Sequence, residues 1–280
     1  MLGKLFKYDW KSFWKVPAAI NIFLLIITAI GAISMASPLW KLDYDLINVL
    51  LVLSILFYYL ALFAGSIAIF VYIAVRYYKN VYSDEGYLTN TLPVTPREII
   101  LSKMFVGAIW TIITSVVIFF SVIILLICAA MSFGDAAEWA EIYQVFRTQV
   151  LPFFRNELGM SIGIFLLLTI VSMIVGTFLS ILMLYSSVSL GQLFTKHKVA
   201  GAVIWYIAQY TILQFGTSII MNIPLIGVFS STNVDVFFPD GTFGTFIKAV
   251  LGSSIVLSAI VSVALFFITE YMLKKKLNLE

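Results

Sequence analysis

The sequence predicts an all-α membrane protein with six transmembrane helices. Three observations lead there. The 280-residue chain is 62% hydrophobic and 11% charged, with a mean hydropathy of +1.06, whereas soluble domains are about 45–50% apolar and about 25% charged. Its charges leave six uncharged stretches: 16–40, 46–75, 104–134, 158–195, 199–234 and 249–269. Each reaches the roughly 20 residues with which a helix crosses about 30 Å of hydrocarbon, and none alternates like a barrel strand.

We place the spans near 18–37, 49–75, 104–130, 160–187, 199–222 and 249–271. The stretch 158–195 is long enough for two short spans. Its middle, Val175-Gly176-Thr177-Phe178, lacks the composition of a turn, so it is read as one. Residues 18–33 have the length of a signal-peptide core, and Ser34-Met35-Ala36 is loosely cleavage-like. The long aromatic leader before them favours an uncleaved first span.

Basic residues orient the spans. One side receives Lys4, Lys7, Lys11, Lys15, Arg76, Lys79, Arg97, Lys103, Lys196, Lys198, Lys274, Lys275 and Lys276. The other receives only Lys41, Arg147, Arg155 and Lys248. The positive-inside rule then puts both termini in the cytoplasm. The basic face suits anionic lipid headgroups, and no nucleic-acid partner is needed.

The whole of 1–280 is read as one transmembrane domain. Residues 1–16 form an amphipathic helix, with Lys4, Lys7, Lys11 and Lys15 on one face and Leu2, Leu5, Phe6, Trp10 and Phe13 on the other. That pattern belongs to a helix lying in the membrane interface, and Pro17 is expected to end it. Asp9 sits at the edge of the apolar face, where an acid needs a partner.

The longest cytoplasmic segment is 76–103. Within it Thr95, Pro96 and Glu98 make a helix start: Thr95 caps, Pro96 suits the first helical position and Glu98 closes a capping box. A short surface helix is expected to follow. Arg97 and Glu98 offer a partner polar contacts, and Ile99 and Ile100 apolar ones. An ordinary start for span three would read the same way. A second cytoplasmic turn holds Gln192, Lys196, His197 and Lys198; with His197 between two lysines, it reads as a solvated basic loop.

Outside, 132–158 contains an amphipathic helix, capped by Asp135, with Trp139, Ile142, Tyr143, Phe146 and Val150 at helical spacing. The segment 223–248 is apolar, with Pro224, Gly227 and a Pro239-Asp240-Gly241 turn; it is expected to dip into the membrane or pack on the bundle.

No phosphate loop GxxxxGK[ST], no HExxH and no GxSxG occurs. The single cysteine, Cys128, and single histidine, His197, leave no metal cluster of those types. No charge lies in the middle of a span, which argues against a proton-driven carrier; Glu270 comes closest, near the end of span six. The polar groups within spans are neutral. Asn21 lies in span one, while Thr211, Gln214, Ser218 and Asn222 form one stripe on span five at i, i+3, i+7 and i+11. Such groups must face protein or water, so the stripe serves helix–helix contact or lines a path.

Together these features resemble the membrane subunits of bacterial type-2 ATP-binding-cassette exporters. The resemblance rests on Asp84-Glu85-Gly86-Tyr87-Leu88, Thr91-Leu92-Pro93-Val94-Thr95, Ile99-Ile100-Leu101-Ser102-Lys103 and the opening Lys7-Tyr8-Asp9-Trp10-Lys11, together with the order of elements along the chain. It implies that 96–103 is a coupling helix seated in a separate ATPase. Leu92, Pro93, Val94, Thr95, Pro96, Arg97, Glu98 and Lys103 would make that contact, with the second turn as another. It also implies ATP and Mg on the partner, no catalysis on this chain and a pair of permease chains. Spans one and five would build the dimer contact, and spans two and five would border the path. The outer segment 132–158 is longer than in the plainest members, which leaves the substrate open among amphiphiles such as peptides, lipids or hydrophobic drugs. A non-transporting immunity or sensory subunit and a membrane-embedded lipid enzyme are the alternatives.

Overall fold

The computed structural model describes residues 1–37, 45–83, 85–86, 93–133, 141, 143–194, 196–230 and 242–275. The described elements are helical. They are α1 (Leu2–Phe13), α2 (Lys15–Met35), α3 (Asp45–Tyr82), α4 (Pro96–Phe133), a π-helical stretch Phe146–Val150 running into α5 (Leu151–Asn156), α6 (Ile162–Gly191), α7 (Lys198–Ser230) and α8 (Thr242–Lys275). Six of them, α2, α3, α4, α6, α7 and α8, are long and apolar enough to cross a membrane. The chain is a multi-span helical membrane protein.

The helices outrun the uncharged stretches. α3 and α4 have 38 residues each, about 57 Å at 1.5 Å per residue, nearly twice the hydrocarbon thickness. The segment expected to connect them over 76–103 is therefore shorter, because 76–82 and 96–103 are helical. Among the described residues, 96–103 are not set apart from span three: Pro96 starts a helix that continues unbroken through it. Likewise α7 runs past Pro224 and Gly227 to Ser230, and α8 begins at Thr242, so 223–230 and 242–248 are helical, while 231–241 lie outside the described residues. Proline and glycine are tolerated in membrane helices where neighbouring groups take up the freed backbone atoms. The stretch 158–195 holds one span, with Gly176 inside α6. Pro17 does not end α1. The break falls at Trp14, which keeps helical dihedrals (φ −59°, ψ −30°), and Pro17 lies in the first turn of α2, where an amide hydrogen is not required. The Pro239-Asp240-Gly241 turn, Asp135, Trp139, Ile142, Lys41 and Lys276 lie outside the described residues.

Two compact units make up the chain. One comprises Met1–Lys79 with Leu101–Ala140, the other Asn80–Ile100 with Glu141–Glu280. In the first, Leu24, Met35, Tyr58, Leu62 and Leu125 form a buried cluster flanked by Ile27, Ile55 and Val122. Polar bonds thread it. Thr28 and Ser121 share a hydrogen bond of 2.6 Å, and Tyr58 meets the same Ser121 oxygen at 2.5 Å. In lipid, where apolar packing gives little preference between protein and solvent, such bonds and close packing fix helix pairs.

The amphipathic face of α1 is used by the protein. Trp10 stacks on Trp110 with centroids 5.5 Å apart, and Phe13 packs on Tyr72 at 4.8 Å. Asp9 accepts hydrogen bonds from Ser102 (2.5 Å) and from the Lys103 ammonium (2.9 Å). Its expected partner is thus at the head of span three, and the opposite Lys face is exposed.

In the second unit α6 and α7 form a tight hairpin. A Cβ on Gly191 would stand 2.6 Å from the Ala202 nitrogen and 2.8 Å from the Lys198 oxygen, so only glycine permits this approach. Ser186 donates to the Gln209 side-chain oxygen Oε1 at 2.8 Å, and Tyr82 donates to Ser189 at 2.8 Å.

Candidate functional site

The cap ahead of span three forms as its residues dictate. The Thr95 amide donates to the Glu98 carboxylate at 2.9 Å, and the Glu98 amide approaches the Thr95 hydroxyl at 3.4 Å. This is the reciprocal capping box, which satisfies two amides that a helix start leaves open. The Thr95 amide also holds the Glu98 carboxyl below its ordinary pKa, since a hydrogen bond to the charged form favours it. Pro93, Thr95 and Arg97 are exposed, and Val94, Pro96 and Glu98 are partly so. Leu92 lies outside the described residues.

Several residues of this segment face inward. Ile99 and Ile100 are buried at 2% and 0% exposure, so the chain itself takes the apolar contacts that they were expected to offer a partner. Lys103, 8% exposed, is committed to Asp9. Arg97 is 59% exposed, but its Nε donates to Glu270 at 2.7 Å, and Glu270 also accepts from Lys274 at 2.5 Å. Glu270 is buried and meets two cations at the end of α8. Arg97→Glu would set a second carboxylate there. It is expected to cost about 1 kcal/mol, a modest figure because Arg97 is half in solvent. The exchange Arg97→Glu with Glu270→Arg should recover only part of that in thermal unfolding, because a cation at 270 would face Lys274.

The second turn carries Gln192, Lys196, His197 and Lys198. Gln192 is buried and its amide nitrogen donates to the Val188 oxygen at 3.3 Å. Lys196 and His197 are exposed, Lys198 is partly so and opens α7, and the His197 carbonyl accepts from the Gly201 amide at 2.9 Å. Thr195 lies outside the described residues.

The candidate lining residues divide by burial. Asn21 is buried. Its amide nitrogen donates to the Pro17 oxygen (2.8 Å) and to Thr114 of α4 (3.0 Å), joining spans one and three. Thr211, Gln214, Ser218 and Asn222 are exposed. Three of them bond within α7: Thr211 donates to the Ile207 oxygen, Gln214 to the Tyr210 hydroxyl and Asn222 to the Ser218 oxygen. This helix is the least apolar of the six candidate spans, and none of its most apolar 18-residue stretch is buried within the chain.

The pairings of Asp9 and Glu270 were not read from sequence. The available signal was each acid's setting, one on an apolar helix face and one near a span. No protein-family model matches the chain, and no curated protein or solved structure matches it.

Proposed function

We propose that this chain is the permease subunit of an ATP-driven exporter of the type-2 ATP-binding-cassette kind, set in the bacterial cell membrane with both termini in the cytoplasm. ATP and Mg belong to a separate ATPase subunit, and this chain catalyses nothing. Two permease chains enclose the path, and the cargo is an amphiphile such as a peptide, a lipid or a hydrophobic drug.

The observation that carries the reading is span five. A membrane helix with an exposed stripe of Thr211, Gln214, Ser218 and Asn222 is costly in lipid and needs protein or water against it. Ile212 and Ile219, also exposed and about 100° round the helix from the stripe, suit lipid. One helix with both kinds of surface fits a boundary between the bilayer and a path or second chain. The six spans are consistent with the thirteen basic residues lying on one side, which supports the orientation. The capped, exposed segment from Pro93 to Arg97 supports a docking point for the ATPase, since a lever between subunits must be stiff.

Gln214→Leu is expected to weaken pairing of two chains by about 1 kcal/mol, the scale of an interhelical polar contact in membranes, or to slow export of a fluorescent amphiphile from vesicles. Ile212→Leu should do neither. Equal behaviour of the two variants in cross-linking and export would remove this support.

A further inference from the structure

We propose that the helical segment 143–156, between spans three and four, lies in the lipid–water interface with one stripe seated among phospholipid headgroups and upper acyl chains. Tyr143, Phe146, Val150 and Phe154 follow i, i+3, i+7 and i+11. Counting about 100° per residue in the α-helical turns and somewhat less through the π-helical Phe146–Val150, they share one face, and Gln144 and Thr148 sit roughly 150° round the helix from its middle. Tyr143 and Phe146 are 61% and 43% exposed. An exposed apolar stripe of this kind marks a contact surface.

Three contacts determine what covers it. Phe154, the last residue of the stripe, packs on Phe165 in the first turn of α6 with centroids 5.2 Å apart. The Lys248 ammonium of α8 donates to the Gly159 oxygen at 2.9 Å. A Cβ on Gly244, at the start of α8, would strike the Glu157 carbonyl oxygen. The chain at and after Phe154 is thus tied to the ends of two membrane helices, so the stripe ends at the membrane boundary. Arg147, beside the stripe, and Arg155 are exposed, and neither guanidinium has an acidic partner among the described residues. Aromatic and apolar residues on one face with Arg147 at its edge fit a phospholipid surface, whose phosphates complement the guanidinium group. This inference is independent of the exporter reading.

The test uses the full chain in phosphatidylcholine–phosphatidylglycerol vesicles. In a Cys128→Ala background, single cysteines at Phe146 and Val150 on the stripe, and at Gln144 and Thr148 off it, carry an environment-sensitive fluorophore. A nitroxide on the upper acyl chain should quench the stripe probes about twofold or more beyond the others, and aqueous iodide should show the reverse order. Two positions on each face guard against loss of one anchor by substitution. Equal iodide quenching on both faces would overturn the proposal. So would stripe probes that escape iodide only when an amphipathic peptide is added, since the face would then belong to a peptide.

Discussion

Asp9→Asn is expected to destabilise the protein by about 3–5 kcal/mol, the range for removing one member of a buried ion pair. Lys103 and Asp9 have side-chain exposures of 8% and 13%, so water cannot replace the lost charge. Asparagine keeps the shape of the side chain and can still accept from Ser102. What it loses is the carboxylate 2.9 Å from the ammonium. Thermal unfolding in detergent should show a large drop, and the double variant Asp9→Asn, Lys103→Met should recover much of it, because it removes the buried charge as well as its partner. If the double variant is no better than the single one, the ion pair does not anchor α1 to the head of span three.

Gly191→Val comes next in size, at about 3 kcal/mol, the upper end of what overpacking costs. The atoms in the way are backbone, the Ala202 nitrogen and the Lys198 oxygen, so no rotamer relieves them. The hairpin of α6 and α7 must open. Limited proteolysis should then cut near Lys196 and Lys198 faster than in the parent, whereas Gly176→Val, where a Cβ meets nothing within 4 Å, should leave the pattern unchanged.

Much of the fold was legible because the hydrophobic requirement of the bilayer is written along the chain. Six uncharged stretches gave six spans. Helix ends were less legible, since charge marks where hydrocarbon stops rather than where helix stops. Arg76 and Lys79 lie inside α3, and Arg97 and Lys103 inside α4. A helix satisfies its own backbone and continues into the headgroup region without penalty. Pro224 and Gly227 lie inside α7, as membrane helices allow.

The candidate site divides along similar lines. The capping box of Thr95 and Glu98 joins residues three apart, so local chemistry predicted it. The Asp9–Lys103 and Arg97–Glu270 pairs join residues 94 and 173 positions apart, and nothing local encodes which cation an acid meets. Burial of Ile99 and Ile100 was hidden likewise, because an apolar residue at the start of a span serves a partner or its own chain equally well. The stripe on span five was visible from its spacing, but its exposure needed the folded chain.

The most direct measurement of the central claim is purification of the tagged chain from membranes of its native host in mild detergent, followed by assay of nucleotide hydrolysis. The account predicts that a distinct subunit with a GxxxxGK[ST] phosphate loop co-purifies in comparable amount, and that the complex hydrolyses ATP faster when an amphiphilic cargo is added. Recovery of the chain with no such subunit and no ATP hydrolysis, from preparations in which the six spans remain folded, would contradict it.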